Sequence, residues 1–319
     1  MEIVKFVIHL QYIFVYIYMA RYKFEGLGVA LVTPFKADKS IDYDALGRLI
    51  EFQLSEGVDF FVVLGTTGET PTLSANEKLA VCDYIKSKVG GRVPLVLGLG
   101  GNNTMEIVKE VSTRDLSGFE AILSVVPPYN KPSQEGIYQH YAAIATASPL
   151  PVILYNVPGR TGVNMTAATT LRLAHDFKNV IGVKEASGNF PQIEEIIKNK
   201  PDHFEVISGD DGITYPLITL GAKGVISVIG NAFPKEFGKM VRKCLSGDFM
   251  GALPIQFLFT ELFNLLFVDG NPAGVKSALN ALGMIENELR LPLVPTRLST
   301  NEKIHAICDN LRKKVSETV

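Results

Sequence analysis

The chain has 319 residues, 47% hydrophobic and 20% charged, enough to bury one large α/β barrel or two ordinary domains and too apolar to be disordered. Its 31 Lys and Arg against 33 Asp and Glu leave a net charge of −2, without the basic balance expected of a nucleic-acid-binding protein. Cys82, Cys244 and Cys308 lie far apart and the five histidines are scattered without zinc-ligand spacing, so the sequence predicts no metal, and reduced thiols in the cytoplasm.

The first element is an oddity. MEIVKFVIHLQYIFVYIYMA is β-prone, but Lys5, His9 and Gln11 interrupt it, and the clean run from Tyr12 to Ala20 is too short to span a bilayer. Lys5 is its only early positive charge, a weak start for a signal peptide. Residues 1–23 therefore read as a non-native or disordered extension, with Met19 as an alternative start. A membrane or export segment and an added strand are the other readings; no membrane association is expected.

Apolar runs then alternate with amphipathic segments. Strands are predicted over 28–35, 60–65, 94–100, 121–127, 151–158, 180–186, 204–211 and 224–231, all near-continuous Val/Ile/Leu runs of the kind buried on both faces. Helices are predicted over 44–55, 76–88, 166–175 and 191–198, the second opened by Ser74 and Glu77 as a capping box. After about 232 only helices follow, over 237–245, 255–267, 273–282 and 302–313. Eight strand–helix units predict an α/β fold, a (β/α)8 TIM barrel over residues 24–246. Residues 247–319 are expected to pack on it as a C-terminal helical extension. A doubly wound sheet also alternates, but no GxGxxG follows the first strand.

Function in such a barrel sits where strands end. Gly65-Thr66-Thr67-Gly68-Glu69 offers amides and hydroxyls to a carboxylate or a phosphate, or is an ordinary turn. Tyr129 stands in a proline-bounded loop, as a packing aromatic or a functional one. Tyr155 ends the fifth strand, where a hydroxyl can relay a proton, and Arg160 follows, suited to a carboxylate or to solvent. Lys184, in the apolar run VIGVKEA, is the sharpest signal. Inside the barrel, desolvation would favour its neutral amine, able to form a Schiff base; outside, it would reach solvent. Spacing alone does not choose. Asp210-Asp211 is a poor metal pair, because adjacent strand residues point apart.

Taken together, GTTGE, PPYNKPSQEGIYQHY, LYNVPGRTG, GVKEASGN, SGDD and GVISV, in this order and spacing, resemble the pyruvate-dependent class I aldolases. The resemblance is to the dihydrodipicolinate synthase family over roughly residues 24–298. It implies a cofactor-free lyase of diaminopimelate and lysine biosynthesis. Lys184 would form a Schiff base with pyruvate and the enamine would attack L-aspartate 4-semialdehyde. Tyr155, Thr66 and Tyr129 match the family's proton relay, the last reaching in from a neighbouring subunit of a homotetramer built as a dimer of dimers. Thr67 matches the holder of the pyruvate carboxylate and Arg160 the receiver of the semialdehyde carboxylate. Gly209 and Ile226 match positions lining the pyruvate pocket.

Two departures stand out. Pro128 replaces the first of two consecutive tyrosines, a ring that borders the subunit interface and the lysine effector site. At that site Asn102 and Glu106 match, whereas Ala75 and Lys78 stand where lysine-sensitive members often carry histidines. Weak or absent lysine inhibition is therefore expected. The rival readings are N-acetylneuraminate lyase or a 2-keto-3-deoxy sugar-acid aldolase, disfavoured by Arg160, and a catalytically inactive barrel acting as a binding protein, disfavoured by Lys184 and Tyr155.

Overall fold

The computed structural model describes residues 23–316, with side chains through Lys313; the expectations for residues 1–22, including the choice of Met19 as start, fall outside the described residues. Eight parallel strands close into a barrel in sequence order: β1 (Gly26–Ala30), β2 (Phe60–Val63), β3 (Leu95–Gly98), β4 (Ala121–Val125), β5 (Val152–Asn156), β6 (Val180–Glu185), β7 (Glu205–Ser208) and β8 (Gly224–Ser227), which pairs back with β1. Alternation sends Phe60, Val62, Ile153 and Tyr155 into the barrel, and Phe61, Val63, Val152 and Leu154 out beneath the helices. Both faces are buried, which is why the sequence shows apolar runs rather than alternation.

The ladders are shorter than the predicted strands. Leu31, Val32, Leu64, Val126 and Val157 lie beyond the strand ends yet are 7% exposed or less. They are packed as loop residues at the barrel mouth, so apolar character outlasts backbone pairing.

The outer layer comprises α1 (Tyr43–Ser55), α2 (Ala75–Val89), α3 (Thr104–Thr113), α4 (Gln134–Ala147), α5 (Ala167–Asp176), α6 (Phe190–Asn199), α7 (Thr214–Leu220) and α8 (Pro234–Leu245). Side chains that accept from orphan amides start most of them: Asp42, Ser74, Asn103, Ser133, Thr166 and Asn189. The predicted capping box at Ser74 and Glu77 is present in both directions.

Three helices follow the barrel: α9 (Phe249–Val268), α10 (Ala273–Ala281) and α11 (Leu298–Ser316). By length and composition α9 could cross a membrane. Its Phe259, Leu262, Phe263 and Leu266 are instead buried, and Phe259 and Phe263 stack with Phe233 and Phe237 beside the barrel. One face of α9 thus packs on the barrel, while Met250, Phe257 and Val268 are exposed on its other side.

One irregularity matters for the site. Val152 pairs with Val180, but Ile153 pairs with Gly182, so Ile181 is an extra residue in β6. A bulge of this kind reverses the facing of every residue after it.

Candidate active site

A cavity of about 720 Å³ opens at the C-terminal ends of the strands, the functional end of this fold. Thr66, Thr67, Tyr155, Arg160, Lys184 and Gly209 all line it. A smaller cavity of about 280 Å³ lies at the opposite end, around Phe24, Pro151, Asn179 and His203, away from these groups.

Strict alternation from the outward Val180 would put Lys184 under the helices. The bulge at Ile181 turns it inward, opposite Tyr155 on β5 and Ile207 on β7. Its side chain is 6% exposed, and Nζ lies 4.4 Å from the centroid of the Tyr155 ring. Burial pushes its pKa down to about 7, against the pull of Asp211 and with the help of the Arg160 charge. Among the described residues no carboxylate pairs with it directly. Gly209 makes room for it: a Cβ there would come within 3.1 Å of Lys184 Cε and 2.7 Å of Ala186 Cβ. A neutral amine near neutral pH, at the foot of a cavity, is a carbonyl-directed nucleophile.

The Asp211 carboxylate, just beyond the end of β7, pulls the other way. Its Oδ2 accepts from the amides of Val228 at 3.0 Å and Ile229 at 2.8 Å, and Ser227 also hydrogen-bonds its carboxylate. Burial pushes its pKa up to about 6.

Tyr155, 7% exposed, is hydrogen-bonded by the side chain of Thr66; burial raises its pKa, while the Arg160 charge and the Thr66 bond hold it down. This is a phenol that can pass a proton to a hydroxyl beside it. Thr67 is 3% exposed, and its Oγ1 accepts from Asn271 Nδ2 at 3.0 Å. The turn carrying both threonines is held by Thr33 Oγ1 donating to the Gly68 carbonyl at 2.7 Å and Thr70 Oγ1 donating to the Gly65 carbonyl at 3.0 Å. Arg160 sits in a one-turn helix, Pro158–Thr161, exposed and without a carboxylate partner among the described residues. The site therefore joins a neutral amine, a tyrosine–threonine proton path, a hydroxyl-rich turn and a free guanidinium.

Other expected residues lie outside this constellation. Tyr129 is 88% exposed at φ 73° and does not line the cavity, although its amide is tied to the Thr161 carbonyl at 3.1 Å. Ile226 is 1% exposed in the barrel's inner layer with Tyr155 and Ile207. Asn102 and Glu106 are exposed at the start of α3, whereas Lys78 lines the cavity from α2. Among the described residues no three His, Cys, Asp or Glu side chains gather as a metal site.

Reading the sequence missed Asn271, weighed Asp211 only as a metal ligand and gave Glu69 no role of its own. Asn271 lies 204 residues from its partner Thr67, so no local pattern carries it. The polar NP following an apolar helix is the only hint.

The profile of the Dihydrodipicolinate synthetase family matches residues 23–311. A 4-hydroxy-tetrahydrodipicolinate synthase of Phocaeicola vulgatus is 64% identical over 296 residues, 93% of this chain and 100% of the relative. Dihydrodipicolinate synthase from Aquifex aeolicus superposes with a TM-score of 0.87 at 41% identity, covering 91% of this chain and 98% of its own. The chloride-inhibited enzyme from Acinetobacter baumannii, solved in complex with pyruvate, does so at 0.86 and 39%, covering 89% and 98%.

Proposed function

The chain belongs to the dihydrodipicolinate synthetase family, and from this premise we propose how its cavity works. The reaction is that of a class I aldolase-type lyase in lysine and diaminopimelate biosynthesis: pyruvate condenses with L-aspartate 4-semialdehyde to give 4-hydroxy-tetrahydrodipicolinate. The observation that carries the assignment of roles is the buried Lys184, facing the cavity, whose desolvated ammonium gives up its proton near pH 7.

Its amine adds to the pyruvate ketone and water leaves, giving an iminium. Loss of a methyl proton makes the enamine, whose carbon attacks the semialdehyde aldehyde. Tyr155 and Thr66 deliver the proton that the new alkoxide needs. The product's own amine then displaces Lys184 as the ring closes, freeing the enzyme. Thr67 holds the pyruvate carboxylate, Arg160 receives that of the semialdehyde, and Gly209 borders the pyruvate end, with Ile226 packed in the barrel's inner layer. The iminium is itself the electron sink, so the proposal includes no cofactor or metal. The name and 64% identity of the Phocaeicola relative favour this reaction over the sugar-acid aldolases. The inward Lys184 argues against a barrel that only binds.

The proposal includes a homotetramer in which Tyr129 completes the relay of a neighbouring subunit. Its exposure, left-handed backbone and tether to the Arg160 loop support a ring held out for another chain. A cytoplasmic setting, supported by the free thiols of Cys82, Cys244 and Cys308, belongs to the same reading. Consumption of pyruvate with the semialdehyde, followed across an enzyme dilution series, tests both points. Rapid turnover that falls per subunit as the assembly dissociates is expected. No turnover at any concentration rejects the condensation; constant activity down to the monomer rejects the borrowed tyrosine.

Lysine feedback follows from the same comparison of residues. Lys78 places a cation beside the cavity on α2, where it would repel the ammonium of an incoming lysine bound near Asn102 and Glu106. We expect little inhibition in a titration with L-lysine. Strong inhibition below millimolar lysine would show that Lys78 does not act this way.

A further inference from the structure

The turn bearing Thr66 and Thr67 ends at Glu69, which is 1% exposed and held in the left-handed region at φ 53°. Glu69 Oε1 lies 2.5 Å from Nζ of Lys276 on α10, both side chains fully buried. Its Oε2 accepts from the Arg290 amide at 3.1 Å. Lys276 also donates to the Glu288 carbonyl at 2.9 Å and stands 4.2 Å from the centroid of the Phe35 ring. Burial pushes the Lys276 ammonium down to about 8, with Glu69 pulling it back up. Five residues before Lys276, Asn271 donates to Thr67. One short stretch of the C-terminal helices thus grips the turn at two points.

A wholly dehydrated ion pair is a poor source of stability, since removing two charges from water costs about what their attraction returns. An apolar pair of similar volume would join α10 to the barrel as well. What the ion pair adds is selectivity of geometry, because either charge displaced from the other is left unpaired in the interior. The Asn271 bond has a directional consequence too. By filling an acceptor position on Thr67 Oγ1, it leaves the hydroxyl hydrogen as a donor for another acceptor, and a carboxylate in the cavity is one.

We propose that Glu69 and Lys276 are positioning residues for the pyruvate carboxylate, acting through the Thr66–Gly68 turn and Asn271, so that the C-terminal helices are a working part of the substrate site. The proposal rests on the reading of the cavity as a pyruvate site.

The test measures the pyruvate dependence of borohydride trapping on Lys184 in the full-length protein, alongside semialdehyde KM and melting temperature. The variants are Glu69→Gln, Lys276→Met, the double variant and Asn271→Ala. Each single variant is expected to raise half-saturating pyruvate about tenfold, as for a lost hydrogen bond to a charged group, and to leave semialdehyde KM within about twofold. The double variant, with no lone charge, should recover the melting temperature but not the pyruvate affinity; a purely structural pair would recover both. Asn271→Ala keeps the ion pair, and so reads the coupling even if the single charge variants fail to fold. Unchanged pyruvate dependence in Asn271→Ala and the double variant, with normal trapping in the wild type, overturns the inference alone. Absence of a wild-type pyruvate adduct overturns the pyruvate reading and the inference with it.

Discussion

Replacing Lys184 by methionine is expected to abolish turnover and, in the same protein, to raise the melting temperature. Loss of the amine removes the only route to the imine, so activity should fall by about a thousandfold or more and borohydride should trap no pyruvate. The stability gain follows from proton linkage. Burial depresses the folded-state pKa of Lys184 from 10.5 to about 7. Between these values the unfolded chain binds the proton and the folded chain does not, so the wild type gains stability as pH rises through that window. At pH 7 most of the penalty is still present, on the order of a few kcal/mol. Methionine removes it while retaining an unbranched apolar chain. The variant should therefore melt roughly 5 °C higher at pH 7, with the advantage shrinking toward pH 10. Calorimetry at several pH values checks this; a variant less stable than wild type at pH 7 would mean that the lysine is not buried at a cost.

The second large effect is expected at Arg160. Its guanidinium is exposed at the cavity with no carboxylate partner among the described residues, the state of a group kept free for a substrate. Arg160→Ala should raise semialdehyde KM about 10- to 100-fold, the loss of a charged hydrogen-bonded pair. Pyruvate trapping at pH 8 should change little. A second readout has a definite sign. The Arg160 charge is one of the forces holding the Lys184 pKa down, so its removal should move the pH midpoint of imine formation upward. Unchanged semialdehyde kinetics would exclude this role, whatever the pH profile does.

The degree to which the site was legible varies residue by residue. The turn GTTGE and the loop NVPGRTG could be placed at strand ends because strand order and barrel topology determine where a βα loop must fall. Thr66, Thr67, Tyr155, Arg160, Lys184 and Gly209 accordingly meet at one cavity. Tyr129 was expected in a shared relay, but in its own subunit it faces solvent, an outcome governed by the backbone of a loop closed by Pro128 and Pro132. Glu69 reads as one more charge in a glycine-rich turn. Its burial against Lys276 joins positions about two hundred residues apart, through a helix whose packing no local periodicity specifies.

The sequence by itself determined the eight strand–helix units, their closure as a parallel barrel, and the chemical types available at its mouth. These follow from runs of apolar residues long enough for strands, from caps such as Ser74, and from the rule that successive βα units curl in one sense. Only the tertiary structure decided which way Lys184 points. Counting alternate residues from the outward Val180 would place it under the helices. The extra residue at Ile181, visible only in the pairing with β5, reverses that parity and turns the amine into the barrel. The same holds for the Asn271 and Lys276 contacts with the threonine turn, because directional bonds between distant segments exist only once the barrel has brought those segments together.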